Sequence, residues 1–246
     1  MSLAALALVP GLAVGSFLNV VAVRVPLRRS IVRPPSTCGS CGARIAWYDN
    51  VPILSYLALR GRCRSCSERI SWKYPIVELT TALLIAGSVL EFGLTPRALV
   101  AALFCATLVA VSVTDLEHRL IPNRIVLPAA AVVLAGQTAV DPSPEWAIAA
   151  GAASGFLLLA ALAYPGGMGM GDVKLALLLG AALGRTVAVA LMLATVAAVV
   201  PSVWLLAHYG SAARKMGIPF GPFLALGGVT ALFAGERILH AYLSLT

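Results

Sequence analysis

Two aspartates at the ends of long apolar segments are the residues of this sequence best suited to do chemistry. Asp115 follows the apolar stretch 97–114, and Asp172 closes the sequence Gly169-Met170-Gly171-Asp172 between two further apolar stretches. Ionisable side chains within or beside apolar segments are costly and usually mark function. The two glycines let backbone approach the carboxylate or an extended peptide closely. We interpret Asp115 and Asp172 as an acid/base pair.

The chemistry of such a pair is that of an aspartic protease. Two neighbouring carboxylates do not both ionise easily, so they share a proton. The ionised one takes a proton from water, and the protonated one supports the oxyanion that forms on a peptide carbonyl. The alternative is that each aspartate is a solvated charge at a helix end. The residues and their spacing leave both interpretations open.

A second constellation consists of two cysteine pairs in a polar segment. Cys38-x-x-Cys41 and Cys63-x-x-Cys66 are separated by the 21 residues 42–62. This spacing is close to that of two zinc knuckles, in which four thiolates surround Zn²⁺ in a closed, structural site. Two disulfides are the alternative, but we expect this segment to face a reducing compartment. The fifth cysteine, Cys105, lies in an apolar stretch and is predicted to pack there.

The elements that must position these residues are membrane-spanning helices. The chain of 246 residues is 60% hydrophobic and 11% charged, whereas soluble domains are about 45–50% apolar and about 25% charged. The predicted fold is an all-α polytopic membrane protein with about eight transmembrane helices and a cytoplasmic zinc-binding loop domain. Residues 1–23 form the first helix, 24–75 the loop and 76–246 the helical bundle. The remaining spans are predicted at 76–92, 97–114, 123–140, 146–164, 173–184, 186–208 and 218–235.

The distribution of charge predicts how the helices are oriented. Residues 24–75 contain ten Lys or Arg and two acidic residues, and so account for the whole net charge of +8. Basic loops mark the cytoplasmic side of a membrane, and nucleic acid is the weaker interpretation. With this loop inside, fifteen of the eighteen basic residues fall inside, Arg214 and Lys215 among them. Both aspartates then lie at the cytoplasmic face.

Several stretches together resemble one family. They are Gly15-Ser16-Phe17-Leu18-Asn19-Val20; the cysteine pairs with Trp47-Tyr48-Asp49-Asn50-Val51-Pro52 between them; Tyr74-Pro75-Ile76-Val77-Glu78-Leu79; Asp115 with Leu120-Ile121-Pro122; Gly169 to Lys174; and Pro219-Phe220-Gly221-Pro222-Phe223. The chain resembles the type IV prepilin peptidases, bacterial membrane aspartic proteases of the Gly-x-Gly-Asp class. One departure is Asn123, where the family often has an acidic residue.

The resemblance implies that Asp115 and Asp172 are catalytic. It implies cleavage of the basic leader of prepilins or pseudopilins at the cytoplasmic face of the bacterial inner membrane, after a Gly and before a Phe-like residue. Members with the four-cysteine loop commonly also methylate the new N-terminus with S-adenosylmethionine. Candidate residues for that second site are Glu78, Asn19, Asp49 and Asn50, although for Glu78 an interfacial charge paired with an Arg is an equal alternative. No Gly-rich dinucleotide fingerprint is present.

Three rival functions follow from the same residues. A non-enzymatic membrane scaffold would use the zinc loop for docking and would tolerate loss of the aspartates. A transporter would need carboxylates near mid-membrane, which the predicted topology does not provide. A peptidase without methyl transfer would differ only in its product. The expected partners are a prepilin or pseudopilin substrate and the lipid bilayer, not nucleic acid, and the sequence predicts no oligomeric state.

Overall fold

The computed structural model describes residues 3–164, 167–210 and 217–244, and within them the chain is helical with no sheet. The basic pair Arg214 and Lys215 lies outside the described residues. The helices are α1 (Leu3–Arg24), α2 (Leu54–Ala58), α3 (Lys73–Phe92), α4 (Pro96–His118), α5 (Asn123–Val140), α6 (Glu145–Ala163), α7 (Met170–Leu183), α8 (Val187–Tyr209) and α9 (Gly221–Leu243). Short 3-10 turns occupy Trp47–Asn50 and Gly184–Thr186.

The all-α, multi-pass architecture predicted from the sequence is confirmed. Seven helical stretches of the described chain are long and apolar enough to cross a membrane. One of these, Met170–Tyr209, contains both α7 and α8. The 14 residues of α7 extend roughly 21 Å, less than the ~30 Å hydrocarbon core. The eight predicted spans therefore correspond to α1 and α3 to α9, with α7 the short one.

Five helix ends differ from the prediction by three residues or more, and two of the differences concern the aspartates. Helix α3 begins at Lys73, inside the predicted loop 24–75, and α9 begins at Gly221 instead of 218. Helix α4 continues one turn past Asp115 to His118, and α7 begins at Met170, which places Asp172 in its first turn. Helix α9 continues to Leu243 instead of ending near residue 235. An apolar run marks the part of a helix that lies in hydrocarbon, and a helix can continue beyond it into polar surroundings. Hydropathy therefore predicted the spans better than the helix ends.

The chain divides into two compact units, Met1–Ala98 and Leu99–Thr246. In the first unit, α1 packs closely against α3. Gly11 and Gly15 lie one turn apart on the same face of α1. A Cβ at Gly11 would lie 2.7 Å from Ala82 Cα, and one at Gly15 would lie 2.6 Å from Glu78 Cα. Small residues at this spacing allow close approach of helices in membranes, and here they bring the polar end of α1 against the start of α3.

Helix α7 forms the centre of the second unit and packs against α5, α6 and α9. Leu175, Leu178 and Leu179 are completely buried, as expected for a helix that is hydrophobic on all sides. Gly180 lets α7 contact the backbone of α6 at Ala149. Gln137 of α5 donates a hydrogen bond of 2.8 Å from Nε2 to the Ala182 carbonyl of α7. These contacts fix the helix whose first turn carries Asp172.

Candidate active site and metal centre

Asp115 and Asp172 line the same cavity in the second unit, which has a volume of about 350 Å³. Asp115 lies in the last turn of α4, and Asp172 is the third residue of α7. Both side chains are buried, with 6% and 8% of their surface exposed. They are close enough to interact electrostatically. Two residues that are 57 positions apart in the sequence are thus brought to one site by two different helices.

Backbone N–H groups of glycines hold both carboxylates. The Gly221 N–H, at the start of α9, donates a buried hydrogen bond of 2.9 Å to Asp115 Oδ2. The Gly169 N–H donates a hydrogen bond of 3.2 Å to Asp172 Oδ2. Each N–H lies at the beginning of a helix, where donors have no partner within the helix and the dipole favours negative charge. The donors orient the acids and add no positively charged side chain.

The glycines of Gly169-Met170-Gly171-Asp172 have separate structural roles. Gly169 precedes the first residue of α7 and supplies the N–H for Asp172. Gly171 faces the residues before α5: a Cβ there would lie 2.8 Å from Ile121 Cβ. Lys174, one turn into α7, donates a hydrogen bond of 2.9 Å from Nζ to Asn123 Oδ1. Asn123 thus accepts a hydrogen bond from Lys174. An acidic residue at position 123 could form an ion pair with the same lysine.

The wall of the cavity is partly polar and partly apolar. Arg119 follows Asp115 by one helical turn and contributes a cation, and Ser202 of α8 contributes a hydroxyl. The apolar wall comprises Met168, Ile218, Pro219, Phe220 and Phe223. No sequence pattern assigned a site role to Arg119, to the phenylalanines or to Gly221. Gly221 stands out in the sequence only through the family resemblance of the stretch 219–223, because a backbone donor leaves no trace in residue type.

This arrangement can carry out acid–base chemistry on a bound carbonyl compound. Two carboxylates that line one cavity can provide a base and an acid for the same reaction. Burial strengthens their influence on a bound dipole because the surroundings are less polarisable than water. The apolar wall suits an aromatic or aliphatic side chain beside the reacting group. The geometry fits hydrolysis of a peptide that has an apolar residue next to the bond.

The four cysteines Cys38, Cys41, Cys63 and Cys66 form a cluster that could hold a metal ion, in the first unit. Their sulfur atoms all lie within 4.8 Å of one another. The Cys38 and Cys66 sulfurs are 3.8 Å apart, close to the ~3.8 Å edge of a tetrahedron with Zn–S bonds of about 2.3 Å. Four thiolates around one centre are the donor set of structural zinc sites. Cys105 is buried in α4, apart from this cluster.

The two cysteine pairs lie on equivalent turns. The Gly42 N–H bonds the Cys38 carbonyl and the Ser67 N–H bonds the Cys63 carbonyl, both at 2.9 Å. Gly42 and Ser67 each have a positive φ, of 71° and 59°. Backbone N–H groups of Cys41 and Ser40 lower the pKa of the Cys38 thiol to about 6. The Glu68 N–H lowers the pKa of the Cys66 thiol. Burial and hydrogen bonds with the other three sulfurs outweigh that effect and raise the pKa of Cys66 to about 12.

The four other candidate residues fall into two different settings. Asp49 forms a bidentate ion pair with Arg64, with the closest contact at 2.7 Å. Hydrogen bonds from Arg64 hold the pKa of Asp49 below its usual value. Asn50 ends the 3-10 turn that contains Asp49. Asn19 and Glu78, in contrast, are buried where α1 meets α3. The first pair thus lies on the loop, and the second lies at the helix interface.

Comparison with known proteins gives consistent matches along the chain. Residues 9–92 match the family model "Bacterial Peptidase A24 N-terminal domain", and residues 102–206 match "Type IV leader peptidase family". A prepilin leader peptidase/N-methyltransferase of Bacillus subtilis is 39% identical over 96% of both chains. A protein of the same name from Pseudomonas putida is 35% identical over 98% of this chain and 93% of its own. No solved structure matches the chain significantly.

Proposed function

The chain belongs to the type IV leader peptidase family, and we propose that it cleaves the leader peptide of a prepilin or pseudopilin with Asp115 and Asp172. The observation that carries this proposal is the shared cavity. Both carboxylates line it, and a glycine N–H orients each of them. Relatives named for leader-peptide cleavage cover nearly the whole chain. The apolar wall at Phe220 and Phe223 suits the Phe-like residue expected after the bond that is cut.

Hydrolysis divides one water molecule between the two products. One carboxylate accepts a proton from water, and the water oxygen bonds to the scissile carbonyl carbon. The other carboxyl is protonated and donates a hydrogen bond to the oxygen on which negative charge develops. The carbon–nitrogen bond then breaks, and the departing amine takes a proton from the carboxyl pair. The leader leaves with a carboxyl terminus, and the mature protein gains a free N-terminus.

The reaction takes place at the cytoplasmic face of the bacterial inner membrane. Asp115 is near the end of α4 and Asp172 is at the start of α7, so both lie at the ends of membrane-spanning helices. Arg119, Arg124 and Lys174 surround these ends in the sequence. Basic residues flank the cytoplasmic ends of spans. A substrate with a basic leader on that side reaches the cavity without crossing the membrane.

The four-cysteine loop binds structural Zn²⁺, and the protein also methylates the new N-terminus. The donor set and the 3.8 Å sulfur separation suit a tetrahedral zinc ion. The ion would hold the two turns together and take no part in cleavage. S-adenosylmethionine, when bound, would supply the methyl group to the deprotonated amine of the new N-terminus and would leave as S-adenosylhomocysteine. The names of the relatives support this second activity.

Mass spectrometry of a co-expressed prepilin tests the proposal. We expect the wild-type protein to yield a shortened, N-methylated product, whereas Asp115→Asn and Asp172→Asn leave the leader in place. Asp141→Asn is the matched control, because Asp141 follows α5 and does not line the cavity. Cleavage by either dyad variant would refute the aspartate mechanism and favour a scaffold. A shortened but unmethylated product would retain the protease and remove the methyltransferase.

A further inference from the structure

Glu78 is a buried acid that the cleavage reaction does not use. It lies in the second turn of α3, with 8% of its surface exposed. Its Oε2 accepts a hydrogen bond of 2.8 Å from the Ile53 N–H, and the Ser16 side chain lies beside its carboxylate. No basic side chain in the described part of the chain pairs with it. A carboxylate held only by neutral groups at the edge of a membrane span is costly and points to a function.

A second hydrogen-bond acceptor is the side chain of Asn19, which lies one turn after Ser16 on the same face of α1. Asn19 is 5% exposed and donates from Nδ2 to the Tyr74 carbonyl at 3.2 Å. Its Oδ1 is buried and has no hydrogen-bond partner among the described residues. Since buried polar atoms are nearly always paired, an unpaired carbonyl oxygen calls for an explanation. Across the α1–α3 interface, Ser16 faces Glu78 and Asn19 faces Tyr74. Each pair of residues on one helix is three or four positions apart and so lies on one face of that helix.

The loop between the cysteine pairs covers this acceptor cluster under backbone strain. Ile53 donates its N–H to Glu78 while held at φ 59° and ψ −49°. This positive-φ conformation lies outside the allowed regions, is unfavourable for a β-branched residue and tends to occur at functional sites. Ser55, two residues on, accepts from the Val51 N–H and donates to the Tyr48 carbonyl. The segment that caps Glu78 is thus built by the four-cysteine loop.

We propose that Glu78, Asn19 and Ser16 form the site that binds an organic cation during methyl transfer. The cluster offers one negative charge and neutral oxygen acceptors, which suits an ammonium or a sulfonium group. Divalent metal ions need more oxygen ligands than it provides. Methyl transfer involves both kinds of cation: the ammonium of the new N-terminus and the sulfonium of S-adenosylmethionine. This inference rests on the proposed methyltransferase activity and assigns it to buried residues of the first unit.

The test compares Glu78→Gln with Glu91→Gln, a matched substitution at an exposed position of the same helix. Purified protein methylates a short synthetic peptide that begins with Phe, and the KM values for peptide and for S-adenosylmethionine are measured separately. Removing a charged hydrogen-bond partner should raise the KM of the cation that Glu78 binds about 10- to 100-fold. Cleavage of a prepilin, which does not use Glu78, should stay near the wild-type rate for both variants.

A rise in the KM for the peptide would identify the bound cation as the ammonium. A rise in the KM for S-adenosylmethionine would identify it as the sulfonium. Unchanged KM values for Glu78→Gln overturn the inference. If Glu78→Gln also loses cleavage, ligand binding to the wild-type protein is measured to test the inference. It should bind S-adenosylmethionine more tightly than neutral S-adenosylhomocysteine, or the free-amine peptide more tightly than its N-acetylated form, and equal binding within both pairs overturns the inference. Failure of wild-type protein to methylate at all refutes the proposed methyltransferase activity instead.

Discussion

Replacing Gly221 by alanine should disable the proposed active site and leave the fold intact. The Gly221 N–H donates to Asp115 Oδ2 at 2.9 Å. An added Cβ would lie 2.7 Å from that oxygen, 3.2 Å from Asp115 Cγ and 3.3 Å from Asp115 Cβ. The methyl group therefore collides with the carboxylate that the glycine orients. Gly221 is the first residue of α9 and has no positive φ, so alanine suits its backbone.

The size of the effect follows from the hydrogen bond that is lost. A bond from a neutral donor to a charged acceptor contributes about 1.5–3 kcal/mol. Each ~1.4 kcal/mol of lost transition-state stabilisation lowers a rate about tenfold. We therefore expect kcat for cleavage to fall about 10- to 100-fold. KM should change little, because Gly221 is not among the residues that line the cavity and the apolar wall proposed to bind the substrate is unchanged.

The assay is cleavage of a purified prepilin by detergent-solubilised protein, with thermal unfolding measured in parallel. Gly155→Ala is the matched control, because a Cβ at Gly155 in α6 meets no atom within 4 Å. That variant should cleave at the wild-type rate. A folded Gly221→Ala protein with wild-type kcat would show that the orientation of Asp115 by this N–H does not matter. A rise in KM with unchanged kcat would assign Gly221 to substrate binding instead.

Three further predictions concern the scaffold. Gly180→Val should destabilise the protein by about 1–3 kcal/mol, because a side chain there would collide with the α6 backbone at Ala149. Thermal unfolding measures the effect, and Gly151→Ala is the control because a Cβ at Gly151 meets no atom within 4 Å. Cys63→Ser should lose bound zinc, measured by elemental analysis, whereas Cys105→Ala should retain it, since Cys105 is outside the cluster. Ser67→Gly should make the loop more resistant to a zinc chelator, because glycine adopts the positive φ of 59° at this position without the strain that serine has there. An unchanged rate of zinc release would contradict this.

The helices were predictable because they depend on residue type over long windows. The predicted span 123–140 matched α5, and the predicted first span ended within one residue of the end of α1, since an apolar run in a membrane protein has few alternatives to a helix. The four-cysteine cluster was predictable from its spacing together with the expected reducing compartment, and its sulfurs do converge. The catalytic role of the aspartates stays a prediction, although the structure brings them to one cavity. That convergence depends on how α4 and α7 pack, which a single sequence does not encode locally.

The buried acids show why the rest was not predictable. Asp115, Asp172 and Glu78 each accept a hydrogen bond from a backbone N–H, of Gly221, Gly169 and Ile53. Every residue except proline has such a donor, so sequence patterns do not reveal which one will be used. A lysine or arginine in these places would be visible in the sequence, but it would neutralise the acid and compete with its ligand. A backbone N–H orients a carboxylate and leaves its charge available, which suits acids that must exchange protons or bind cations.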